Sequence, residues 1–514
     1  MKQRITYIVR DPDAFTPEQL VVKDDFFAVE QVSAAKEHRI TLGLSELPEE
    51  LRKAFAQWHE LHIRWASGSP YQAAAPFTSR VSPGLHVFYT PQKTAGDGRL
   101  CPLLREIFDS SLGCESPKES FIKMPILSER FSMSASSQFY APVHTLSDLV
   151  HYIQSKLCPP SSAFCTDAAA TLHSASYLDM DFDAISHALI INAFWAKAPN
   201  ASAHWTENIS LRGPSDTIEI GVLNNEQNPD PEDIAFAGFL TVLGQDSQPK
   251  PTRFQTPTRH YPLPSSKRLS YRTSFAHPTG LHPTLVLTLP ERNISPPDST
   301  CKLHIHLTLP RTLFIDKYQF NDALFLSSHH LKSLRSLSGA TDLEAPDWVI
   351  PQWGSAALFE LAVPGSASPD SRIDPGWNVT IPMHLRYLPP FPDSGHRNLE
   401  VPWPVVFWAC RAEEGTKMSN NPFDRIHLGY EALFGPKTRF MHATPAPIGN
   451  GTGRLVEVIQ VPVLDVGKVK WVEAGTVGVV LAAFFGLCWI LGRKSYAMGV
   501  ASVEEEVRER KKAQ

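Results

Sequence analysis

Residues Ala474 to Gly492, AGTVGVVLAAFFGLCWILG, run for 19 positions without a charge. As a helix this stretch is roughly 28 Å long, close to the ~30 Å hydrocarbon core of a bilayer. A buried core helix is the weaker alternative, because soluble helices rarely carry so long an uncharged run. Lys470 and Glu473 flank one end, and Arg493 and Lys494 the other. Trp471 and Trp489 fall near the two expected interfaces, where amphipathic rings settle. The chain is therefore read as a single-pass membrane protein with its span at 474–492.

The segment after the span, residues 493–514, contains Arg493, Lys494, Arg508, Arg510, Lys511 and Lys512, against only Lys468 and Lys470 just before it. By the positive-inside rule this basic tail is cytosolic and the bulk of the chain is lumenal. Sequons agree with that orientation. Asn-X-Ser/Thr occurs at Asn200, Asn208, Asn293, Asn378 and Asn450, five of thirteen asparagines, where chance would place about two. The opening MKQRITYIVRDPDAF has no apolar run long enough for a cleaved signal peptide. A tail-anchored protein with a cytosolic bulk is the competing topology.

The 514 residues are too many for one hydrophobic core and predict two folded domains. With 44 prolines, long helices are interrupted and short strands joined by turns are favoured. The net charge of −5 offers no basic field for nucleic acid. Residues 1–243 read as a mixed α+β domain. It includes a helix capped by Ser45, with Leu47, Leu51, Phe55, Trp58, Leu61 and Trp65 on one face. Residues 244–272 are rich in Pro, Ser, Thr and basic side chains and read as a linker. Residues 273–465 read as a β-sandwich of short strands. In Lys302–Leu309, Leu303, Ile305, Leu307 and Leu309 alternate with His304, His306 and Thr308. The fold class is thus mainly β, with a C-terminal membrane helix.

Chemistry is sparsely signalled. Asp179, Asp181 and Asp183 form DMDFD, but Ala184 and Ile190 stand where a calcium loop needs Gly and Glu. A polar turn with solvated carboxylates is the expectation. His304 and His306 share a strand face, read here as solvent-facing. His59 and His62 are three residues apart, not the four of a zincin helix, and are assigned to the polar flank of the Leu47–Trp65 helix. No nucleophile elbow, Walker loop or dinucleotide fingerprint is present. No catalytic residue, metal ligand or cofactor is assigned. On the span, Ala474, Gly478, Ala482 and Gly486 recur every fourth residue, a face on which a partner helix could approach closely. Six of the seven cysteines lie outside the span and can pair in an oxidising lumen; none forms a CxxC motif.

Three C-terminal segments carry a resemblance: LPRTLFIDKYQF (Leu309 to Phe320), HLRYLPPF (His384 to Phe391) and PVVFWAC (Pro404 to Cys410). In this order, ahead of a membrane span, they resemble the PIG-X family and its fungal branch, the protease B nonderepressible form proteins. The resemblance is strong over 275–495 and less specific in the N-terminal part. It implies a non-catalytic endoplasmic-reticulum subunit that stabilises a multi-pass catalytic mannosyltransferase of the PIG-M type. That complex, glycosylphosphatidylinositol (GPI) mannosyltransferase I, adds the first α-1,4-mannose to glucosaminyl-acyl-phosphatidylinositol. A general lumenal chaperone, linked to processing of a vacuolar protease precursor, is the alternative. Within the PIG-X-like region Cys301 and Cys410 lie in strand-like segments and form a candidate disulfide, although spacing alone leaves the pairing open.

Overall fold

The computed structural model describes residues 1–23, 25–92, 99–125, 135–159, 162–211, 216–226, 233–291, 294–364, 376–392, 394–412, 421, 423–448 and 453–513. The chain divides into two compact units, one made of residues 1–387 and 399–459 and the other of 388–398 and 460–514.

The first unit is built on an eleven-stranded sheet. Its strands are β1 (Lys2–Val9), β2 (Ala34–Gly43), β3 (Trp58–Ala66), β4 (Gly84–Pro91), β5 (Ile122–Lys123), β6 (Ser137–Ala141), β7 (Tyr177–Asp183), β8 (Ala188–Trp195), β9 (Thr217–Glu226), β10 (Asp233–Val242) and β11 (Lys250–Pro257). They lie in the order β11-β10-β9-β1-β2-β8-β7-β3-β4-β6-β5. The β1–β9 pair is parallel.

Both faces of this sheet are covered, and the two-residue period of a strand shows how. Along β1, Ile5, Tyr7 and Val9 enter one apolar cluster while Ile8 enters another. The first cluster lies under the short helices α1 (Glu49–Phe55), α2 (Leu100–Ile107) and α3 (Ser147–Tyr152), through Leu51, Phe55, Leu104 and Leu149. The second gathers Phe194, Leu223 and Phe236 with Leu358, Phe407 and Phe440 from a second sheet. That second sheet has β12 (His260–Tyr261), β13 (Lys302–Pro310), β14 (Leu331–Gly339), β15 (Gly354–Leu361), β16 (Val405–Arg411) and β17 (Thr438–His442), in the order β12-β17-β16-β13-β15-β14. Strands Ser270–Phe275, Thr284–Leu289, Trp377–Pro382 and Thr444–Pro445 form a further four-stranded sheet.

Several expectations need correction. The helix read from Leu47 to Trp65 stops at Phe55, and residues 58–66 are strand β3. Leu61, Ile63 and Trp65 of β3 face the helix-side cluster; Leu61 and Trp65 stand four residues apart, a separation that shares one face in a strand as well as in a helix. The expected linker, 244–272, contains β11, which pairs with β10 at the sheet edge. An edge strand tolerates Pro251 and Pro257, since a missing N–H need not be paired on the outer side. Across this stretch the two regions share an apolar cluster. His304 and His306 are 2% and 3% exposed. In register with Phe407 and Val405, they lie on the β13 face turned to the shared cluster, not to solvent.

The second unit contains α4 (Val469–Lys512). An 18-residue window of this helix has a mean hydropathy of 2.2, and none of it is buried within the chain. A helix apolar all round its surface needs an apolar surrounding. Ahead of it, the Gly467 N–H donates to Asp465 Oδ1 at 2.9 Å, and the Phe391 N–H donates to the Leu464 carbonyl at 3.0 Å.

Candidate functional site

Strand alternation delivers a charged row to the sheet face opposite the short helices. On β7, Leu178 and Phe182 enter the helix-side cluster and Met180 packs against it, so Asp179, Asp181 and Asp183 project to the other side. On β3 the same logic presents Glu60, His62 and Arg64. The antiparallel register sets Arg64 opposite Asp179 and His62 opposite Asp181. Cross-strand neighbours of opposite charge stabilise such a pair. DMDFD is therefore a strand in which Asp179 and Asp181 are paired, not a solvated polar turn.

Onto this row lies a segment from the C-terminal region, residues 423–431. Arg425 Nη2 donates to Asp179 Oδ1 at 2.6 Å, and its guanidinium sits 4.0 Å from the centre of the Tyr177 ring. Arg64 Nη1 is 3.0 Å from Asp179 Oδ1, and Arg64 Nη2 is 3.0 Å from Asp181 Oδ1. Arg64 also donates through Nε to the His427 carbonyl at 3.1 Å and through Nη2 to the Ile426 carbonyl. Tyr430 Oη donates to the Arg80 carbonyl at 2.8 Å. Arg64 and Asp179 are each 1% exposed. Two guanidiniums and one carboxylate thus share a site closed to water, where an unpaired charge is costly and a paired one holds position.

Beside them a polar cleft of about 310 Å³ opens, lined by Glu37, Arg39, Asp181, Asp183 and Asp424 among others. His62 Nδ1 meets Asp181 Oδ1 at 2.8 Å and its Nε2 meets Glu60 Oε2 at 3.4 Å. The His62 and His427 rings are stacked, with centroids 3.8 Å apart.

The electrostatics follow from this packing. Burial raises the Glu60 carboxyl, but bonds from His62 and Thr90 outweigh it and bring it down to about 2. Burial lowers His62, yet its bonds to Asp181 and Glu60 win and leave it above the ordinary imidazole value. His427 is held down to about 3 by burial and by the neighbouring His62. Burial raises Glu37 against the pull of Arg4 and Arg39. The carboxylates here are committed to partners and the cluster's evident work is cohesion.

The other expected residues are placed as follows. Asn200, Asn208 and Asn378 are exposed, while Asn293 and Asn450 lie outside the described residues. Cys301 and Cys410 are joined at 2.01 Å, as are Cys158 with Cys165 at 2.02 Å and Cys101 with Cys114 at 1.93 Å. Ala474, Gly478, Ala482 and Gly486 lie on α4, and a side chain added at Gly478 or Gly486 would meet open space. Arg64, Arg425 and His427 escaped the sequence reading. Arg64 would have been found by a two-residue period over 58–66, whereas nothing local marks Arg425.

The family model described as PIG-X / PBN1 matches residues 278–492. Protein pbn1 of Emericella nidulans is 47% identical over 97% of this chain and 97% of its own length. Protein pbn1 of Neurospora crassa is 41% identical over 99% of this chain and the whole of its own. Protein PBN1 of Saccharomyces cerevisiae is 33% identical over 38% of this chain and 39% of its own. The charged strands β3 and β7 precede the matched domain and Arg425 lies inside it, so the buried cluster joins a region shared with full-length fungal relatives to the family's defining domain. By this similarity along nearly its whole length, the chain belongs to the PIG-X / PBN1 family.

Proposed function

We propose that this chain is a non-catalytic, stabilising subunit of GPI mannosyltransferase I in the endoplasmic-reticulum membrane. Its partner in this reading is a multi-pass catalytic subunit of the PIG-M type, which adds the first α-1,4-mannose to glucosaminyl-acyl-phosphatidylinositol. The observation that carries the reading is family membership, with a domain match that runs into the apolar part of α4. The architecture supports an accessory role. A single candidate span among the described residues cannot supply the several membrane helices that a dolichol-dependent transferase needs around its lipid substrate. A large β-rich body carried on one helix is instead suited to holding lumenal loops of a partner.

The test is a lipid measurement. Cells depleted of this protein are labelled with radioactive inositol and their GPI intermediates separated. Accumulation of the unmannosylated glucosaminyl-acyl species is expected. A normal intermediate profile would overturn the reading and favour the broader chaperone role. Orientation is tested separately. Endoglycosidase treatment is expected to increase gel mobility, and the shift is expected to shrink in steps as Asn200, Asn208 and Asn378 are each changed to Gln. Absence of any shift would favour a cytosolic bulk.

A further inference from the structure

We propose, on the subunit reading above, that Leu343, Trp348, Val349 and Tyr387 form the docking surface for an extramembrane loop of the multi-pass subunit, one that offers an apolar side chain and a Lys or Arg.

The surface is built around a buried arginine. Arg386, from the segment HLRYLPPF, is 2% exposed. Its Nε donates to the Arg311 carbonyl at 3.0 Å and its Nη2 to the Ala340 carbonyl at 3.2 Å. Nη1 donates to the Asp342 carbonyl and, at 2.8 Å, to the Ala345 carbonyl. The guanidinium also stands 4.3 Å from the centre of the Phe314 ring. A buried cation needs a full set of acceptors. Three of these four carbonyls belong to the connection between β14 and β15, which Arg386 thereby holds in place.

Arg311, from the segment LPRTLFIDKYQF, secures the same connection further along. Its Nε donates to Asp347 Oδ1 at 3.1 Å, and the Asp347 N–H donates to the Tyr387 carbonyl at 3.0 Å. Between these points Asp342 Oδ1 accepts the N–H groups of Glu344 and Ala345 at 2.9 and 3.2 Å. The connection is ordered at each turn, yet it directs apolar side chains outward. In the turn Asp347–Val349, Asp347 is buried while Trp348 and Val349 are each 59% exposed. Tyr387, bonded to that turn through its backbone, is 68% exposed, and Leu343 is 44% exposed.

The two aromatic rings alone leave about 250 Å² open to water. An apolar patch on so firmly held a surface marks a contact site. Trp and Tyr are the side chains that dominate binding energy at protein interfaces. The rim selects a protein loop over lipid headgroups. Asp342 and Glu344 are exposed on either side of Leu343. Carboxylates there are repelled by an anionic membrane surface and complement a Lys or Arg of a partner. The whole patch lies within residues 278–492, the stretch that the family model matches.

The test uses the full chain co-expressed with the multi-pass subunit and purified in mild detergent. The photoreactive residue p-benzoylphenylalanine, placed at Val349, is expected to cross-link to an extramembrane segment of that subunit. Trp348→Ser with Tyr387→Ser is expected to lower the amount of subunit retained roughly tenfold or more. Glu344→Lys is expected to lower it by a smaller factor. These changes leave the backbone carbonyls that Arg386 and Asp347 use, so each variant alone should keep the thermal midpoint of the unaltered chain. If the unaltered chain retains no multi-pass subunit, the subunit reading fails and the docking surface with it. If it retains the subunit, two results overturn the docking surface alone. One is a Val349 probe that cross-links only to lipid or to nothing; the other is full retention by the folded double variant.

Discussion

Asp179 Oδ1 accepts a hydrogen bond from Arg425 Nη2 at 2.6 Å across 246 residues of sequence, with both side chains almost wholly buried. The contact ties β7 of the N-terminal sheet to the segment that leads toward β17. It is reinforced by Arg64, which reaches the same carboxylate oxygen from β3 at 3.0 Å.

This geometry sets an order of damage. Arg425→Met removes one cation and leaves Asp179 paired with Arg64. Asp179→Asn takes the shared carboxylate from both guanidiniums and leaves Arg64 with Asp181. Removing one partner of a buried pair costs about 3–5 kcal/mol. Asp179→Asn is expected at the upper end and Arg425→Met below it. The paired change Asp179→Leu with Arg425→Met is expected to recover part of the loss. Denaturant titration of the four proteins measures the order, and equal stability of Asp179→Asn and the unaltered chain would refute the cluster's structural role.

The disulfides are expected to differ in worth. Cys301 and Cys410 are 109 residues apart, and Cys158 and Cys165 only 7. Closing the longer loop constrains the unfolded chain more, by about 5 kcal/mol against about 2 kcal/mol in the chain-entropy account. Serine replacement of the Cys301–Cys410 pair should therefore lower the thermal midpoint more than replacement of Cys158–Cys165. Differential scanning of both variants provides the comparison.

Stability is expected to fall in mild acid. Burial holds His304 down to about 4, and His306 and His442 down to about 3. An unfolded chain takes these protons near pH 6.5. Above that pH the residues are neutral in both states and their contribution is complete. As pH drops from 6.5 toward 4 the unfolded form binds protons that the folded form refuses. Each residue then costs about 1.4 kcal/mol per pH unit. Urea midpoints at pH 7.5, 6.0 and 5.0 measure the slope, and His306→Gln is expected to reduce it by up to about 1.4 kcal/mol per pH unit.

On α4, bulk at the small-residue face should disturb pairing with a membrane partner. Gly478→Ile with Gly486→Ile fills space that is open in the isolated chain, so the β-rich body should keep its thermal midpoint. Co-purification with the proposed multi-pass subunit in mild detergent is expected to weaken. Unchanged co-purification would show that this face is not used.

What could be read from the sequence divides along physical lines. The apolar run 474–492 was plain because its hydropathy needs no partner to interpret, and α4 contains it. The strand at 302–309 was plain from alternation, since Leu303, Ile305, Leu307 and Leu309 are buried. Its other face was misread because His304 and His306 are polar, although a shared apolar cluster covers them. The same ambiguity made a helix of β3 and a turn of β7. A strand buried on both faces, with ionic partners on one of them, has the outward look of a half-solvated element.

By itself, then, the sequence determined the abundance of short strands, the one apolar helix and the family resemblance, all carried by local pattern or by motif. Only the tertiary structure decided that Arg64, Asp179 and Arg425 meet, and that Glu60, His62 and His427 converge beside them. Those contacts depend on the register of β3 against β7 and on where a segment some 250 residues later comes to rest. A charged side chain carries no mark of whether its partner will be water or another buried charge, because that choice is made by packing.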